Sequence, residues 1–432
     1  MPMNNIQSPE KPEAQASMPS FEKRIIASIL SKIRDARNGK AATNNSRTLP
    51  PAESLPAARI RKVNLADCSA ITQLKRRWGL IPDSCANWDK LWVRNPALQD
   101  IDPDRPMGWA LDAGGTLVGY IGNISSTYFY GDQMILAVAG HGLVVDPGYR
   151  APSVSLNAAF FRQKFADLYL GTTAIEAVDK ISRIFKCDQL PQPDYDTVLF
   201  WVLRPFPFAE AVAKKLNLGP STSYCGSALG SVAIATDKLV RRRWPRVAKS
   251  NLMVKKIQVR EIADDFDELW NAKRKEGLRL LADRRAATLR WHFEIPDDRA
   301  VTEVLCCYGK GELQGYLVIR HEPGLGDGPR RSIVCDLLIK QDRADILEAL
   351  FVVAYDEAKR AGSHVCEVKG FPANIRKIFQ QWNPYERKFP ACPFHFKAAN
   401  PEFHKTLLNE AIWYASPYDG DTTLMPSVWP AA

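Results

Sequence analysis

Two stretches of the chain alternate apolar, strand-like runs with amphipathic, helix-like repeats. In the first stretch, from residue 58 to 205, helices with apolar positions three and four residues apart separate the strand-like runs. The predicted order is β-α-β-β-β-α-β-α-β, which is typical of an α/β or α+β domain. The predicted strands cover residues 60–63, 109–111, 117–130, 134–145, 168–172 and 197–203, and the predicted helices cover residues 66–78, 153–167 and 176–185.

The second stretch, from residue 253 to 432, repeats nearly the same order of elements. Because the order repeats without clear residue identity, the sequence predicts a duplicated domain. Residues 206–252 predict a helical linker between the two copies, with helices at 209–216 and 229–243. In the second copy, strands are predicted at 254–260, 301–308, 313–320, 332–339, 364–368 and 394–398, and helices at 266–278, 286–292, 344–360 and 374–382.

Residues 1–57 predict a disordered tail that contains one short helix. Within residues 21–37, isoleucines, Phe21 and Leu30 recur at helical spacing, and basic residues fill much of the rest. Such a helix docks on its own protein or a partner, or it makes a peripheral contact with an anionic membrane, and the sequence leaves both open. No window approaches the roughly 18–20 apolar residues of a membrane span, so no integral membrane segment is expected.

Composition narrows the class of protein but not its partner. The chain has 432 residues and a formal net charge of +10, which is compatible with an anionic small molecule, an anionic membrane or nucleic acid. Its nine cysteines form no C-x-x-C pair, so neither a zinc site nor a disulfide framework is indicated. Together with an N-terminus that lacks a secretory signal, this predicts a cytoplasmic protein with reduced thiols.

Residues 143–156 predict a phosphate-binding turn. An apolar strand ends in a Pro147-Gly148 turn, Arg150 follows, and Ser153 and Ser155 open a helix. This layout directs backbone N–H groups at one point near the positive end of a helix dipole, and Ser153 suits the N-cap. From the residues alone, an ordinary capped strand-to-helix turn is an equal alternative.

The same segment resembles motif A of the GNAT superfamily of acyl-CoA-dependent N-acyltransferases. Val145, Pro147, Tyr149 and Arg150 match V-x-P-x-[YF]-R, and serines stand at the two glycine positions that follow. The resemblance implies an α/β (α+β) fold of two tandem GNAT-like domains, each a mixed central sheet flanked by helices. It places the pantetheine arm of acyl-CoA on Leu143, Val144 and Val145, and the pyrophosphate on Arg150, Ala151, Pro152, Ser153, Val154 and Ser155.

Residues 172–182 are similar to a second GNAT segment, T-A-N-E-x-A-x-x-x-Y, with Ile175 in place of the Asn and Ser182 in place of the Tyr that often acts as general acid. His141 is the first candidate for the catalytic base, because its ordinary pKa is near neutral and it lies two residues before Leu143. A structural histidine is the alternative. Glu176 is the second candidate, or else a partner of its helix dipole.

Other polar groups carry weaker signals. Tyr128 and Tyr130 share one strand face and either line an acceptor site or pack in the core. The Asp-Gly-Asp sequence at 419–421 reads as a turn more readily than as a cation site. The second copy's counterpart of the phosphate turn, residues 339–344, has no glycine, which predicts a degenerate second domain.

The sequence therefore predicts an N-acyltransferase, with N-acetyltransferase as the first expectation. It would move an acyl group from acetyl-CoA or another acyl-CoA to a primary amine, on a small molecule or a sugar, without a metal. Among acceptors, an amino sugar, an amino acid and a protein amine all stay open. An acyl carrier protein remains an alternative donor, and nucleic acid is not an expected partner. Two other functions stay open, namely a Fem-type transferase that uses aminoacyl-tRNA, and a catalytically silent carrier-binding or scaffold protein.

Overall fold

The computed structural model describes residues 56–98, 105–150, 152–173, 176–215, 220–246, 251–296, 298–324, 326–388 and 393–425. The predicted tail with its helix at 21–37 and the expected contact Ala151 lie outside these residues. The described helices are α1 Cys68–Arg77, α2 Cys85–Trp88, α3 Ser153–Phe161, α4 Glu176–Ile184, α5 Pro205–Lys215, α6 Pro220–Val240, α7 Asp265–Arg274, α8 Ala286–Phe293, α9 Ala344–Arg360, α10 Ala373–Gln380 and α11 Pro401–Thr406.

The strands form two mixed sheets, which confirms the predicted fold class. The first sheet has the order β1-β2-β3-β4-β5-β15-β6, with β9 paired to β3, and the second has the order β14-β7-β13-β12-β11-β10-β8. The strands are β1 Arg59–Lys62, β2 Gly108–Ala113, β3 Thr116–Tyr130, β4 Gln133–Val145, β5 Leu168–Gly171, β6 Asp188–Gln189, β7 Thr197–Val202, β8 Met253–Ile257, β9 Leu280–Ala282, β10 Val301–Gly309, β11 Glu312–Glu322, β12 Arg331–Ile339, β13 Val365–Val368, β14 Tyr385–Lys388 and β15 His395–Ala398.

The two halves of the chain exchange their last strands. β7, from the first half, lies in the second sheet between β13 and β14, and β15, from the second half, lies in the first sheet between β5 and β6. One hydrophobic core accordingly contains side chains of both halves, among them Tyr128, Leu170, Trp201 and Trp270. Each sheet therefore contains one strand from the other half of the chain. The domain boundaries at residues 205 and 253 stay a prediction.

Two smaller cores cover the faces of the first sheet. On one face, Leu74 of α1 and Trp88 of α2 pack with Tyr120 of β3. In the other cluster, Phe160 of α3 packs with Trp109 and Tyr169. This first sheet, enclosed by helices, carries the candidate site.

Several predicted helices have different bounds in the structure. The predicted helix 153–167 ends at Phe161 in the structure. Asp167 instead accepts a hydrogen bond from the Leu136 backbone N–H of β4, at 2.8 Å. The predicted helix 266–278 ends at Arg274, and the chain then forms β9, which pairs with β3. α6 begins at Pro220 rather than at 229, despite the two glycines in its first half. Among the described helices, none combines the length and apolar composition needed to cross a bilayer.

Candidate active site

A cavity opens where two parallel strands of the first sheet separate. β4 and β5 pair only from Ala137 to Ala139, after which β4 continues to Val145 while β5 ends at Gly171. Beyond the pairing, a cavity of about 410 Å³ lies beside β4. Its apolar lining includes Leu80, Ile81, Ile121, Leu143, Phe160, Phe161, Tyr169, Leu170, Val178 and Met425. The apolar walls and the strand edge suit an elongated ligand with both methylene and amide groups.

His141 lines this cavity, and both of its ring nitrogens contact carboxylates. Nε2 is 3.0 Å from Asp83 Oδ2, and Nδ1 is 3.1 Å from Asp421 Oδ2. The Lys75 ammonium lies 3.2 Å from Nε2 and donates to Asp83 at 2.6 Å. The imidazole is therefore held in one orientation by groups from two distant parts of the chain, namely residues 75–83 and Asp421.

The charges around His141 set its pKa. Burial and the Lys75 ammonium oppose protonation, but the carboxylates of Asp83 and Asp421 outweigh them, so the pKa of His141 lies above its ordinary value of 6.5. For Asp83, burial favours the neutral carboxyl, but His141 and Lys75 hold the pKa of that group well below its usual range. The site therefore keeps an ionised carboxylate next to a readily protonated imidazole.

Lys75 reaches the cluster because residue 142 has no side chain. Gly142 has φ +60°, and a Cβ atom there would lie 2.6 Å from Lys75 Nζ. Both the left-handed backbone and the close approach of the ammonium require glycine. The bulge in the β3–β4 pairing, between Tyr120 and Gly122, lies beside this point.

Asp421 is brought to the site by the C-terminal segment. Its Oδ1 accepts a hydrogen bond from Thr172 Oγ1 at 2.7 Å, directly after β5. Gly420 has φ +74°, and a Cβ atom there would lie 2.4 Å from Thr172 Cγ2. Asp419 points elsewhere and accepts from Tyr128 Oη at 2.8 Å, with burial raising the pKa of its carboxyl. The Asp-Gly-Asp sequence is thus a turn, and one of its carboxylates belongs to the site.

The turn that follows β4 has the expected strand-to-helix layout. Pro147–Tyr149 form a 3₁₀ turn, Arg150 is exposed, and α3 begins at Ser153. The N-cap is Pro152, so the expectation that Ser153 caps the helix is wrong. The Ser153 hydroxyl and backbone N–H both point to the Arg150 carbonyl, at 2.5 and 3.1 Å. In this conformation two of the expected phosphate donors therefore serve the turn itself.

The corresponding turn of the second half is filled by protein carboxylates. The backbone N–H of Gln341 donates to Glu276 Oε1 at 2.6 Å. Asp342 accepts from Lys273 at 2.5 Å and from Arg279 at 2.8 Å. An anion at this turn would have to displace these carboxylates, which supports the prediction that the second half is degenerate.

Comparison with known proteins decides the fold. No family model and no curated protein matches the sequence. A GCN5-related N-acetyltransferase from Anabaena variabilis aligns with 80% of this chain and 73% of its own, at 10% identity and a TM-score of 0.50. A conserved protein of unknown function from Enterococcus faecalis, described as a probable N-acyltransferase, aligns with 79% and 72%, at 9% identity and a TM-score of 0.51. The chain has the GNAT fold.

Some of the predicted site residues line the cavity of this GNAT fold, and others do not. His141 and Leu143 line the cavity, whereas Val144 is buried, and Arg150 and residues 152–155 lie outside the cavity lining. Val145 ends β4, and Glu176 opens α4 with its side chain outside the described residues. Ser182 lines the cavity, but its hydroxyl donates to the Val178 carbonyl at 3.0 Å.

Three residues of the GNAT-fold site escaped the sequence analysis. Lys75 follows Ile71 by four positions on the apolar face of α1. A lysine on an apolar helix face indicates a buried charge, so the sequence contains a signal for this residue. Asp83 stands in an irregular stretch after Pro82, which has no pattern of its own. Asp421 belongs to a turn sequence, and nothing local connects it to His141.

The site contains carboxylates and an imidazole, which are groups that can bind metal ions. Within the described ranges, no group of three or more His, Cys, Asp or Glu side chains is arranged to hold a metal ion. The Lys75 ammonium occupies the position between Asp83 and His141 where a cation would bind. A metal-free mechanism stays a prediction.

Proposed function

We propose that this protein is an N-acyltransferase that moves an acyl group from acyl-CoA to a primary amine, with acetyl-CoA as the first donor to test. One observation carries the proposal: the cavity beside β4 is lined by His141, which lies between two carboxylates. Acyl transfer to an amine needs a groove for the carrier and a group that takes a proton, and these two features are adjacent here. The acceptor is proposed to be a small molecule or a sugar amine.

The donor would lie along the free edge of β4. From Leu143 to Val145 the backbone would pair with the pantetheine amides, and one N–H of this edge would polarise the thioester carbonyl. The pyrophosphate would bind at the turn, where the Arg150 guanidinium is exposed and Val154 and Ser155 are also open to solvent. Binding would require the Ser153 hydroxyl to turn from the Arg150 carbonyl to the phosphate.

The proton of the amine would go to His141 in its neutral form. The amine nitrogen forms a bond to the carbonyl carbon, the carbon–sulfur bond breaks, and coenzyme A leaves as a thiolate. A thiolate is a moderate leaving group because thiol pKa values lie near 8.5. Asp421 would act as a positioning residue that orients the imidazole and stabilises the charge it gains.

A cytoplasmic location is part of the same proposal. The eight cysteines within the described ranges are free, and six of them are buried. Reduced thiols are typical of a compartment that glutathione and thioredoxin keep reducing.

The test is the thermal stability of the full chain with a panel of acyl-CoAs, followed by turnover of the best binder with a panel of amines. At a concentration of about 100 Kd, a ligand should stabilise the folded state by about 2.7 kcal/mol. Arg150→Ala should lose most of this effect. Arg162→Ala, which removes an exposed arginine after the end of α3, should keep it.

Three results would contradict the proposal. Stabilisation by none of the acyl-CoAs would remove the donor site. Binding of acyl-CoA without turnover of any amine would favour a scaffold role. Tight, steeply salt-dependent binding of aminoacyl-tRNA would favour the Fem-type alternative.

A further inference from the structure

Within the part of the chain that the structure describes, the outward face of α6 is apolar and uncovered. Leu229, Val232, Leu239 and Val240 expose 75, 64, 69 and 76% of their surface, and Tyr224 exposes 69%. Surface apolar residues are ordinary when scattered, but five on one helix form a patch that typically marks an interaction site.

The opposite face fixes this orientation. Ser227 is buried, and a Cβ atom at Gly230 would meet Ala209 of α5 at 3.7 Å. Lys238 donates to the Val202 carbonyl of β7 at 2.9 Å. Small residues and Lys238 make the inward contacts of α6, so the large apolar side chains of its outward face do not pack in the protein's own core.

The apolar face is long and uncharged. No charged residue occurs between Pro220 and Thr236, a stretch that spans about 25 Å as a helix. Phe206 of α5 contacts the Tyr224 ring at 6.2 Å between centroids, which extends the patch onto the neighbouring helix.

Basic residues lie at both ends of this uncharged stretch. Arg241, Arg242 and Arg246 are exposed just after α6, and Lys214 and Lys215 are exposed at the end of α5, shortly before α6 begins. Glu210 and Asp237 are the acidic residues of α5 and α6, and they pair with Lys214 and Arg241, so the basic residues remain in excess. An apolar helix face between basic groups is complementary to an anionic lipid surface.

The same charges disfavour a second copy of the chain as the occupant. A parallel pairing of two α6 helices would set Arg241 and Arg242 against the same residues of the other copy. An antiparallel pairing would set them against the end at which Lys214 and Lys215 lie. Either arrangement places like charges together, which opposes association.

We propose that the outward face of α6 binds an anionic membrane surface peripherally. Leu229, Val232, Leu239 and Val240 enter the headgroup region, while the basic residues at both ends contact lipid phosphates. This inference does not depend on the proposed acyl transfer.

The test is flotation of the full chain with phosphatidylcholine vesicles, with and without phosphatidylglycerol. Binding is expected to phosphatidylglycerol vesicles, and to weaken with salt. The double variant Leu229→Gln/Val232→Gln should reduce partitioning about tenfold, since both side chains lose apolar area in the lipid. Arg241→Gln/Arg242→Gln should reduce binding only to vesicles that contain phosphatidylglycerol. The matched control is Met134→Gln/Val301→Gln, which changes two apolar residues elsewhere that are 62 and 60% exposed, and it should bind like the wild type.

Unchanged flotation of the α6 variants, or no flotation of the wild type, would overturn the proposal. So would loss of binding in Ile25→Gln/Ile29→Gln together with full binding of the α6 variants, because residues 21–37 would then make the contact. A wild-type dimer in light scattering that becomes monomeric in Leu229→Gln/Val232→Gln, without vesicle binding, would identify a second copy as the occupant.

Discussion

His141 and Asp421 lie 3.1 Å apart, although 280 positions separate them in the chain. The contact depends on the C-terminal segment, which passes beside Thr172 at the end of β5 and is held there through the Thr172–Asp421 hydrogen bond. A residue near the end of the second half therefore completes a cavity built by the first half. The two halves form one catalytic unit if the proposed acyl transfer is correct.

Asp421→Asn is predicted to lower kcat by roughly 100-fold, because an amide stabilises the imidazolium far less than a carboxylate does. The KM for acyl-CoA should change little, since the contacts of Asp421 are with His141 and Thr172 rather than with the turn proposed to bind the pyrophosphate. The measurement is steady-state kinetics with the best donor and acceptor pair.

The control for this variant is Asp188→Asn. Asp188 pairs with His404 at 2.8 Å, the same kind of contact at an exposed position. It should leave kcat unchanged. Equal losses in both variants, or full activity of Asp421→Asn, would remove Asp421 from the mechanism.

Most of the first sheet could be predicted from apolar periodicity. The long runs that became β3 and β4 are apolar enough to fix their type, and the prolines and glycine at 147–152 mark the turn. The sequence does not predict the short strands β6 and β14, because they have few apolar residues of their own, and β9 is apolar but only three residues long. β14 is Tyr-Glu-Arg-Lys, and its pairing with β7 is a tertiary choice that no local pattern reveals. The exchange of β7 and β15 was invisible for the same reason.

The pH dependence of kcat/KM should report the pKa of His141. Because that pKa is raised, activity is predicted to rise with pH through a midpoint above 6.5, the ordinary value for histidine. Asp83→Asn removes a carboxylate that favours the imidazolium, so the midpoint should fall. Lys75→Met removes a positive charge that opposes it, so the midpoint should rise.

Midpoints that shift in opposite directions in these two variants would show an electrostatic effect on the pKa of His141, because a general loss of structure would not depend on the sign of the charge removed. If both variants shift the midpoint in the same direction, or leave it unchanged, then His141 is not the titrating group. Their free energies of unfolding should be measured alongside, because each change removes the ion pair between Lys75 and Asp83, both of which are buried.

Gly142→Ala is predicted to destabilise the protein more than Gly114→Ala does. Both glycines have nearly the same backbone, with φ +60° and +63°. A Cβ atom at Gly114 meets nothing within 4 Å, so that variant should cost only the left-handed strain, about 1–2 kcal/mol. At Gly142 the new atom also collides with the Lys75 ammonium, which Asp83 holds in place.

Denaturant unfolding measures this difference, with at least about 1 kcal/mol of additional loss expected for Gly142→Ala. Activity should fall in that variant as well, because Lys75 must move away from His141. Equal stabilities would show that Lys75 yields freely and is not a fixed part of the cluster.

The site residues could be predicted from the sequence only where they lie close together along the chain. His141 and the turn after β4 belong to one continuous segment, so one motif found both. The partners of His141 come from α1, from an irregular stretch and from the C-terminal turn, and only folding brings them together. Lys75 shows the limit most clearly, because its helical position indicated burial but not what it would meet.

Lys90 provides a prediction about stability that is independent of catalysis. Its side chain is 1% exposed, and its ammonium donates to the His292 carbonyl at 2.9 Å. Burial, with a smaller contribution from Arg320, lowers the pKa of Lys90 to about 7. The unfolded chain holds this proton up to a pKa of about 10.4. Between pH 7 and that value the unfolded state therefore binds more protons, and folding stability should rise as the pH rises.

Lys90→Met keeps the side-chain length and removes the buried charge. At pH 7 it is predicted to stabilise the fold by about 1–4 kcal/mol, and this gain should shrink as the pH approaches 10. Lys359→Met, which removes an exposed ammonium, should show neither effect. The free energy of unfolding of the three proteins across this pH range decides the matter. A destabilised Lys90→Met would mean that the hydrogen bond to His292 outweighs the burial of the charge.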